Sequence, residues 1–208
     1  SVRSAGNVVG ALDREKLEIV PIAISGDGRW LNPAASAELL DAEVRGLADG
    51  GRDFGEATDV SNVSELKLDI VFPVLHGTFG EDGTVQGLLE MAGLPYVGCG
   101  VLASACGMDK VVMKSLFHEA GLPMCRYLWF LRGEWDRDPA KVVSRVETAL
   151  GYPCFAKPAN LGSSVGISKA EDRESLKAAI DLASLYDRRI VIEEGLKMRE
   201  IECAILGN

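Results

Sequence analysis

The segment from Lys157 to Gly166 contains the residue types that a protein needs to hold a phosphate group. It runs Lys-Pro-Ala-Asn-Leu-Gly-Ser-Ser-Val-Gly and follows a short apolar run from Tyr152 to Ala156. A lysine at a strand end supplies a positive charge, glycine lets backbone N–H groups approach an anion closely, and serine adds hydroxyl donors. The pattern therefore predicts a phosphate-binding hairpin. Taken alone, it is also typical of a flexible β-hairpin with a solvated lysine.

A second polar cluster follows an apolar run from Leu68 to Leu75, which predicts a strand covered on both faces. The next residues, 76–83, are His-Gly-Thr-Phe-Gly-Glu-Asp-Gly, and helical spacing begins at Thr84. Ligands of open α/β sheets bind at the carboxyl ends of strands, so His76 is a candidate functional residue. A glycine-rich turn with solvated acids and a packed histidine is the alternative, and Glu81 is expected to be structural.

Four glutamates surround the turn between the last two predicted strands, Arg189–Glu193 and Ile201–Leu206. They are Glu193, Glu194, Glu200 and Glu202. Without other evidence, such a group is more often a solvated turn than a binding site.

The charge balance limits the class of partner. The chain has 208 residues, a formal net charge of −9 and 47% hydrophobic residues. No basic stripe is present to neutralise a nucleic-acid backbone, so nucleic acid is not an expected partner and any bound phosphate is held locally. The first residues lack the regions of a signal peptide, and no apolar run reaches about 18 residues, so no membrane span is expected.

The five cysteines are odd in number and lack C-x-x-C spacing, which predicts reduced core thiols of a cytosolic protein. They are Cys99, Cys106, Cys125, Cys154 and Cys203. The chain starts at Ser1 without a methionine and enters a helical pattern at once, so we expect its true N-terminus to be missing.

Hydrophobic periodicity predicts an α/β protein with a change of pattern near residue 121. At that point Gly121-Leu122-Pro123 stops a helix that Asp109-Lys110 opens. Residues 32–66 are poor in apolar side chains and predict a surface excursion. The predicted helices are Ser4–Leu17, Thr84–Ala92, Lys110–Ala120, Pro139–Leu150 and Arg173–Tyr186, and the predicted strands are Ile19–Ile24, Leu68–Leu75, Pro95–Val97, Met124–Leu131, Tyr152–Ala156, Arg189–Glu193 and Ile201–Leu206.

Five motifs in this order resemble those of the D-alanine:D-alanine ligases, members of the ATP-grasp superfamily. Each motif is weak alone, but the order is specific and the likeness covers nearly the whole chain. The resemblance implies a Rossmann-like preATP-grasp domain over residues 1–121 and an ATP-grasp nucleotide-binding subdomain over residues 122–208. The motifs are Ser1–Ala5, His76-Gly77 with Gly80–Gly83, Met108-Asp109-Lys110, Lys157-Pro158 with Gly162–Gly166, and Glu193-Glu194 with Arg199-Glu200-Ile201.

The resemblance also implies roles for individual residues, with ATP as the bound nucleotide. Lys110 and Lys157 correspond to the two lysines that grip its phosphates, and cations on separate elements suit a polyphosphate. His76 corresponds to the histidine near the D-alanine carboxylate and the transferred phosphate, and Ser163 to a hydroxyl that orients substrate. Gly162, Val165 and Gly166 correspond to a lid over the phosphates, and Ser164 to a residue that contacts the β-phosphate. Glu193 corresponds to the acceptor for the adenine amino group, and Glu194 and Leu196 to backbone contacts with the purine. Glu200 corresponds to the carboxylate that binds the ribose.

The implied activity is the ATP-dependent joining of two D-alanines for peptidoglycan precursors, in the cytoplasm, by an enzyme expected to be homodimeric through its N-terminal domain. A D-alanine:D-lactate or D-serine ligase, and a nucleotide-binding module without ligase activity, remain alternatives. The family's catalytic glutamate would lie before Ser1, and its Mg²⁺ ligands and transition-state arginine after Asn208, so no metal ligand is expected in this chain. We therefore expect residues 1–208 alone to bind ATP weakly and not to catalyse ligation.

Overall fold

Contacts within the computed structural model divide the chain into two units, Ser1–Ser104 and Ala105–Asn208. The structure describes residues 1–25, 28–44, 57–58 and 67–205. No helix in those ranges is both long enough and apolar enough to cross a lipid bilayer.

In its described ranges, the first unit combines three helices with a short antiparallel pair of strands. Its core contains Val85, Leu89 and Leu94. Helix α3 begins after Gly83, whose φ is +93°, and a Cβ atom there would lie 2.8 Å from the carbonyl oxygen of Val101. Glycine is therefore required at this turn on both conformational and steric grounds. The elements are α1 (Val2–Ala11), β1 (Trp30–Leu31), α2 (Pro33–Val44), β2 (Ala57–Thr58) and α3 (Thr84–Met91).

Two predicted strands of the first unit do not form ladders. Residues 19–24 make one antiparallel bridge, from Ile24 to Trp30, and residues 68–75 make one parallel bridge, from Val71 to Tyr96. A strand buried on both faces needs paired neighbours and covering helices, but the side chains of Ile70 and Phe72 are 55% and 51% exposed. These segments and α1 instead border an apolar cavity of about 710 Å³. The prediction of a doubly covered strand at Leu68–Leu75 was wrong.

Other predictions for the first unit need smaller corrections. The first helix ends at Ala11, well before Leu17, because Leu12 is already extended with ψ at 141°. The predicted surface excursion over residues 32–66 contains helix α2 and strand β2. Much of that stretch, residues 45–56 and 59–66, lies outside the described residues. Helix α3 confirms the prediction for Thr84–Ala92 within one residue.

The second unit is a four-stranded antiparallel sheet with helices packed on it. The strand order is β3-β6-β4-β5. Helix α4 crosses the division between the units, and α5 follows it directly. The elements are α4 (Val101–Met108), α5 (Lys110–Glu119), β3 (Tyr127–Leu131), α6 (Arg132–Arg137), α7 (Pro139–Ala149), β4 (Cys154–Pro158), β5 (Ser168–Ala170), α8 (Arg173–Ser184) and β6 (Arg189–Glu194).

Alternation along the strands gives this sheet two different faces. Ile190 and Ile192 of β6 pack in the main core, which also contains Leu176 and Ile180 of α8. Val191, between them in sequence, packs instead with Val111 of α5. Because successive side chains of a strand point to opposite faces, the α5 face also receives Glu193.

Local sequence signals account for the helix boundaries in this unit. Asp172 begins α8 as its N-cap and accepts a hydrogen bond from Ser175 N at 2.8 Å. Asp138 begins α7 in the same way, accepting from Lys141 N at 3.0 Å, with Pro139 at the first helical position. These contacts satisfy N–H groups that the helix itself cannot pair. The predictions of α5, α7 and α8 are confirmed.

The predictions of secondary structure for this unit failed at two places. Helix α6 was not predicted, and residues 201–205 are irregular and exposed rather than a strand. Of the five cysteines, Cys154 is buried, whereas Cys99 and Cys203 are exposed, so a common assignment as core thiols was wrong. The contacts of the chain divide it between Ser104 and Ala105, and Lys110 N donates to Ala159 O at 3.0 Å within the second unit. The domain boundary near residue 121 stays a prediction.

The core of the second unit predicts a sharp contrast between two leucines. Leu176 is fully buried, whereas Leu185 is 77% exposed. Leu176→Ala should lower the free energy of unfolding by about 2–5 kcal/mol because it leaves a cavity. Leu185→Ala, the same chemical change, should cost less than about 1 kcal/mol. Urea unfolding of the natural polypeptide that carries this sequence measures both, and equal costs would contradict this packing.

Candidate functional site

Helix α5 begins at a carboxylate that bonds in two directions. One oxygen of Asp109 accepts hydrogen bonds from Val111 N at 2.9 Å and Val112 N at 3.1 Å. The other oxygen pairs with the guanidinium of Arg189, at the start of β6. The N-terminus of α5 is therefore fixed on the sheet, and Lys110, its first residue, is held beside strands β4 and β6.

The register of β4 and β6 brings Lys157 close to Glu193. Phe155 lies opposite Glu193 and Lys157 opposite Val191, so Lys157 and Glu193 are diagonal neighbours on one face of the sheet. The Lys157 ammonium donates a hydrogen bond to Oε2 of Glu193. Two predicted site residues are therefore brought into direct contact.

A third cation, Lys114, completes this cluster and was not predicted. Its Nζ lies 2.9 Å from Oε1 of Glu193, and the side chains of Lys114 and Glu193 are 9% and 12% exposed. Lys114 Nζ also lies 4.9 Å from the centroid of the Tyr127 ring. The available signal was its spacing, because a residue four positions after Lys110 lies on the same face of a helix.

Burial and charge act together on these groups. Burial lowers the pKa of Lys110, and the nearby charge of Lys157 lowers it further. Burial also opposes the charge of Lys114, but its hydrogen bond and ion pair with Glu193 raise the pKa overall. For Glu193, burial opposes ionisation, yet the bonds from Lys157 and Lys114 keep the pKa below its ordinary value. Two ammonium groups thus share one carboxylate while a third, that of Lys110, lies close enough to interact with it, and this concentration of positive charge suits an anion.

The glycine-serine loop after β4 is anchored at its base and exposed at its tip. Lys110 Nζ donates to the carbonyl of Leu161, and Asn160 donates to Asp187 Oδ2 from its backbone at 2.8 Å and from its side chain at 3.0 Å. Further along, Ser163 and Ser164 are exposed and have φ values of 50° and 60°. The predicted lid residues therefore form an exposed tip whose base is held by the cationic cluster.

The end of the loop requires glycine. Gly166 has a φ of +70°, and a Cβ atom there would lie 2.7 Å from a ring carbon of Tyr186. Gly162 and Val165 lie between this point and the anchored base, and Val165 is 43% exposed.

The predicted nucleoside-binding residues are not all in one place. Glu194 accepts from Arg126 N at 2.6 Å and from Arg126 Nε at 2.7 Å, and its own N–H donates to Arg126 O at 3.0 Å. Leu196 is 53% exposed in the irregular segment that follows β6. Glu200 is also exposed, and within the described ranges it makes no hydrogen bond or ion pair with the cluster.

His76 belongs to a separate group of residues in the first unit. Its Nε2 lies 3.1 Å from Ser4 Oγ, and its Nδ1 lies 3.9 Å from Oε1 of Glu81. Oε2 of Glu81 accepts from Gly77 N at 2.5 Å, which confirms the structural role predicted for Glu81. The imidazole is thus flanked by a hydroxyl and a carboxylate and remains exposed.

Comparison with known protein families identifies the family of this chain. Residues 1–99 match the family described as D-ala D-ala ligase N-terminus, and residues 116–208 match D-ala D-ala ligase C-terminus. The chain belongs to the D-alanine–D-alanine ligase family. The family predicted from the motifs is therefore confirmed.

Relatives in this ligase family are considerably longer than the chain. A D-alanine–D-alanine ligase of Bacillus velezensis is 48% identical over 216 residues, which span all of this chain and 61% of the relative. One from Bacillus licheniformis is 49% identical over 220 residues, spanning 100% of this chain and 60% of the relative. The chain thus spans about three fifths of the length of these relatives.

Solved ligase structures share the fold. The VanG D-Ala:D-Ser ligase from Enterococcus faecalis has a TM-score of 0.76 and 34% identity, covering 95% of this chain and 58% of that structure. A D-alanine-D-alanine ligase from Coxiella burnetii has a TM-score of 0.74 and 32% identity, covering 94% of this chain and 59% of that structure. The predicted α/β fold of the ATP-grasp ligases is confirmed.

The ion pairs of Glu193 predict a pH-dependent contribution to stability in this ligase-family chain. A carboxylate whose pKa is lowered by folding stabilises the fold above its ordinary pKa, and this contribution is lost as the pH falls through the lowered value. Glu193→Gln should therefore cost about 3 kcal/mol at pH 7 and flatten the decline in unfolding free energy as the pH falls below about 5.

Glu174→Gln is the matched control for this experiment. Glu174 pairs with Lys177 on α8, but its side chain is 81% exposed, so its loss should change the unfolding free energy by less than about 0.5 kcal/mol. Urea unfolding at several pH values compares the variants. A Glu193→Gln curve parallel to that of the unmodified protein would contradict the pairing.

Proposed function

We propose that the protein carrying this chain is an ATP-dependent ligase that joins two D-alanines through a D-alanyl phosphate, releasing ADP and phosphate. The observation that carries the proposal is the cluster of Lys110, Lys114 and Lys157 around the carboxylate of Glu193, with a glycine-serine loop beside it. Such a surplus of positive charge next to flexible backbone N–H groups suits a polyphosphate. The relatives named D-alanine–D-alanine ligase supply the substrate class.

The two predicted phosphate lysines come from different elements of the second unit, α5 and β4. Cations on separate elements can follow charge as it moves between phosphate groups, which a single lysine cannot do equally well. We assign Lys110 and Lys157 to the phosphates, Ser164 to the β-phosphate, and Gly162, Val165 and Gly166 to a lid.

The nucleoside is assigned to the end of β6 and the segment after it. The Glu193 carboxylate is the acceptor for the adenine amino group, Glu194 and Leu196 contact the purine through their backbones, and Glu200 binds the ribose. Because the Glu194 N–H already donates to Arg126, this donor is not free for the purine. Glu200 would have to approach the nucleotide through ordering of the segment after β6.

The reaction needs activation because a carboxylate is a poor acyl donor. A carboxylate oxygen of the first D-alanine attacks the γ-phosphorus, and the bond from that phosphorus to ADP breaks. The amine of the second D-alanine then attacks the acyl carbon, phosphate leaves and the amine loses a proton. Lysine cations stabilise the moving negative charge, and lid closure excludes the water that would hydrolyse the acyl phosphate. We assign His76 to the first D-alanine and Ser163 to substrate orientation.

A D-serine-using ligase is the second candidate, favoured by the likeness to the Enterococcus faecalis D-Ala:D-Ser ligase at 34% identity. The higher identities of 48% and 49% belong to D-alanine–D-alanine ligases and favour D-alanine as the second substrate. Dipeptide synthesis with D-alanine and D-serine in competition separates the two candidates by their product ratio.

The metal, the location and the assembly of the enzyme are proposed from the resemblance. Among the described residues, no group of three or more His, Cys, Asp and Glu side chains could hold a metal ion. The use of Mg²⁺ stays a prediction of the resemblance, and no step is assigned to it. Use of ATP and five free cysteines favour a cytoplasmic location, and dimerisation through the first unit stays a prediction of the resemblance.

Removal of the Lys157 charge tests the phosphate assignment. Lys157→Ala in the natural polypeptide should weaken ATP binding at least tenfold and leave D-alanine binding within about twofold, because an ammonium–phosphate contact is charge-assisted. Isothermal titration calorimetry measures both affinities. Lys169→Ala, which removes an exposed lysine of β5 paired with Glu171, is the control, and an unchanged ATP affinity of Lys157→Ala would refute the assignment.

The exposed loop tip predicts a change in hydrogen exchange. Residues 162–166 bury little surface, so their amides should exchange quickly without nucleotide. ATP with an acyl-phosphate mimic should slow exchange at Ser163 and Ser164, while the buried amides of β6 should change little. Mass spectrometry of peptic peptides measures the rates, and equally slow exchange with and without ligand would exclude a lid at this position.

A further inference from the structure

Glu193 has two cationic partners that differ in their exposure to solvent. Lys157 lies in β4, just before the glycine-serine loop, and its side chain is 21% exposed. Lys114 is 9% exposed and is enclosed by Glu193, Tyr127 and Cys125, whose Sγ lies 3.7 Å from its Nζ. Lys157 can therefore meet a ligand from solvent, whereas Lys114 is confined to Glu193.

Binding of a phosphate by Lys157 creates an electrostatic problem at Glu193. The ammonium group of Lys157, which helps to neutralise this carboxylate, would then be shared with the phosphate or move to it, and the phosphate carries more negative charge than the carboxylate. A buried carboxylate without a full counter-ion is strongly destabilised and tends to take up a proton. A protonated Glu193 would no longer offer an ionised acceptor to an amino group.

We propose that Lys114 is a positioning residue that serves as the permanent counter-ion of Glu193, so that Lys157 can be released to the nucleotide phosphates. This inference rests on the proposed ATP site. Lys114 itself does not contact the nucleotide. It keeps Glu193 ionised and in place while Lys157 exchanges partners, and thereby couples phosphate binding to retention of the adenine acceptor.

The other charged groups around Glu193 do not replace Lys114. Lys110, on the same helix, donates to the carbonyl of Leu161 instead. Asp187 accepts from Asn160 and from Arg189 N, so it adds no positive charge. Tyr127, which lies opposite Glu193 in the ladder of β3 and β6, and Cys125 both contact Lys114, and neither side chain carries a positive charge. The pKa of Lys114, raised overall by Glu193 against the effect of burial, agrees with a lysine that stays charged.

The test counts protons on ATP binding to Lys114→Met in the natural polypeptide, without D-alanine. Calorimetry in buffers of different ionisation enthalpy measures how many protons the protein takes up on binding ATP. The unmodified protein should take up no extra proton. The variant should take up about 0.5–1, because Glu193 is protonated when Lys157 turns to the phosphates. Above pH 7, each increase of one pH unit should lower the ATP affinity of the variant by up to about tenfold relative to that of the unmodified protein.

Three further variants separate counter-ion from packing effects. Lys114→Arg keeps the charge and should bind ATP with no extra proton. Lys114→Met combined with Glu193→Gln has no group to protonate and should lose the proton uptake. Lys177→Met removes an exposed lysine of α8 that pairs with Glu174, and this variant should behave as the unmodified protein. Weaker ATP binding without proton uptake in Lys114→Met would show a packing role and overturn the inference.

A measurement on the unmodified protein covers the case in which Lys114→Met does not fold. Nitrogen NMR of labelled lysine ammonium groups should show the Lys157 signal moving on ATP addition and the Lys114 signal staying nearly constant. Equal movement of both signals would overturn the inference. Failure of the unmodified protein to bind ATP would overturn the proposed function, whereas normal ATP binding by Lys114→Met without an extra proton would overturn only the role of Lys114.

Discussion

The site in the second unit depends on the separation of the two faces of one antiparallel sheet. Ile190 and Ile192 are fully buried in the main core, and this burial fixes which face of β6 carries the residues between and after them. A register shift of one residue would turn Glu193 into the apolar core and leave isoleucines in its place. The hydrophobic core on one face therefore determines the position of a charged cluster on the other.

Helix α5 contributes to the site through its first two turns. The Asp109 carboxylate caps the helix and pairs with Arg189, so the same side chain that begins the helix also fastens it to β6. Lys110 and Lys114 follow on one face of the helix at a spacing of one turn. A cation for the loop and a cation for Glu193 are thus positioned by one anchored helix end.

The cluster combines a nearly buried lysine, Lys114, and a more exposed one, Lys157, on the same carboxylate. Buried ion pairs are costly to form because both charges lose water, and here one carboxylate is shared between two lysines. The surplus of positive charge leaves the cluster incompletely neutralised within the second unit. In the first unit, His76 stands between Ser4 and Glu81 in an exposed turn, so its environment is polar rather than desolvated.

The sequence by itself determined the features that depend on neighbours in the chain. The N-cap aspartates Asp109 and Asp172 begin the helices that were predicted, and β4 and β6 follow their apolar patterns. The order of short motifs was also enough to identify the ligase family, because each motif places a required residue type at a turn or strand end.

Only the tertiary structure decided the features that depend on distant partners. Residues 68–75 have the composition of a buried strand, but a strand exists only where a neighbour pairs with it, and among the described residues Val71 alone finds one. The contact of Lys114 with Glu193 could likewise not be predicted, because helical spacing shows which residues share one face of a helix but not which part of the protein that face contacts. This contact joins positions far apart in the chain, and such contacts arise from packing rather than from local sequence.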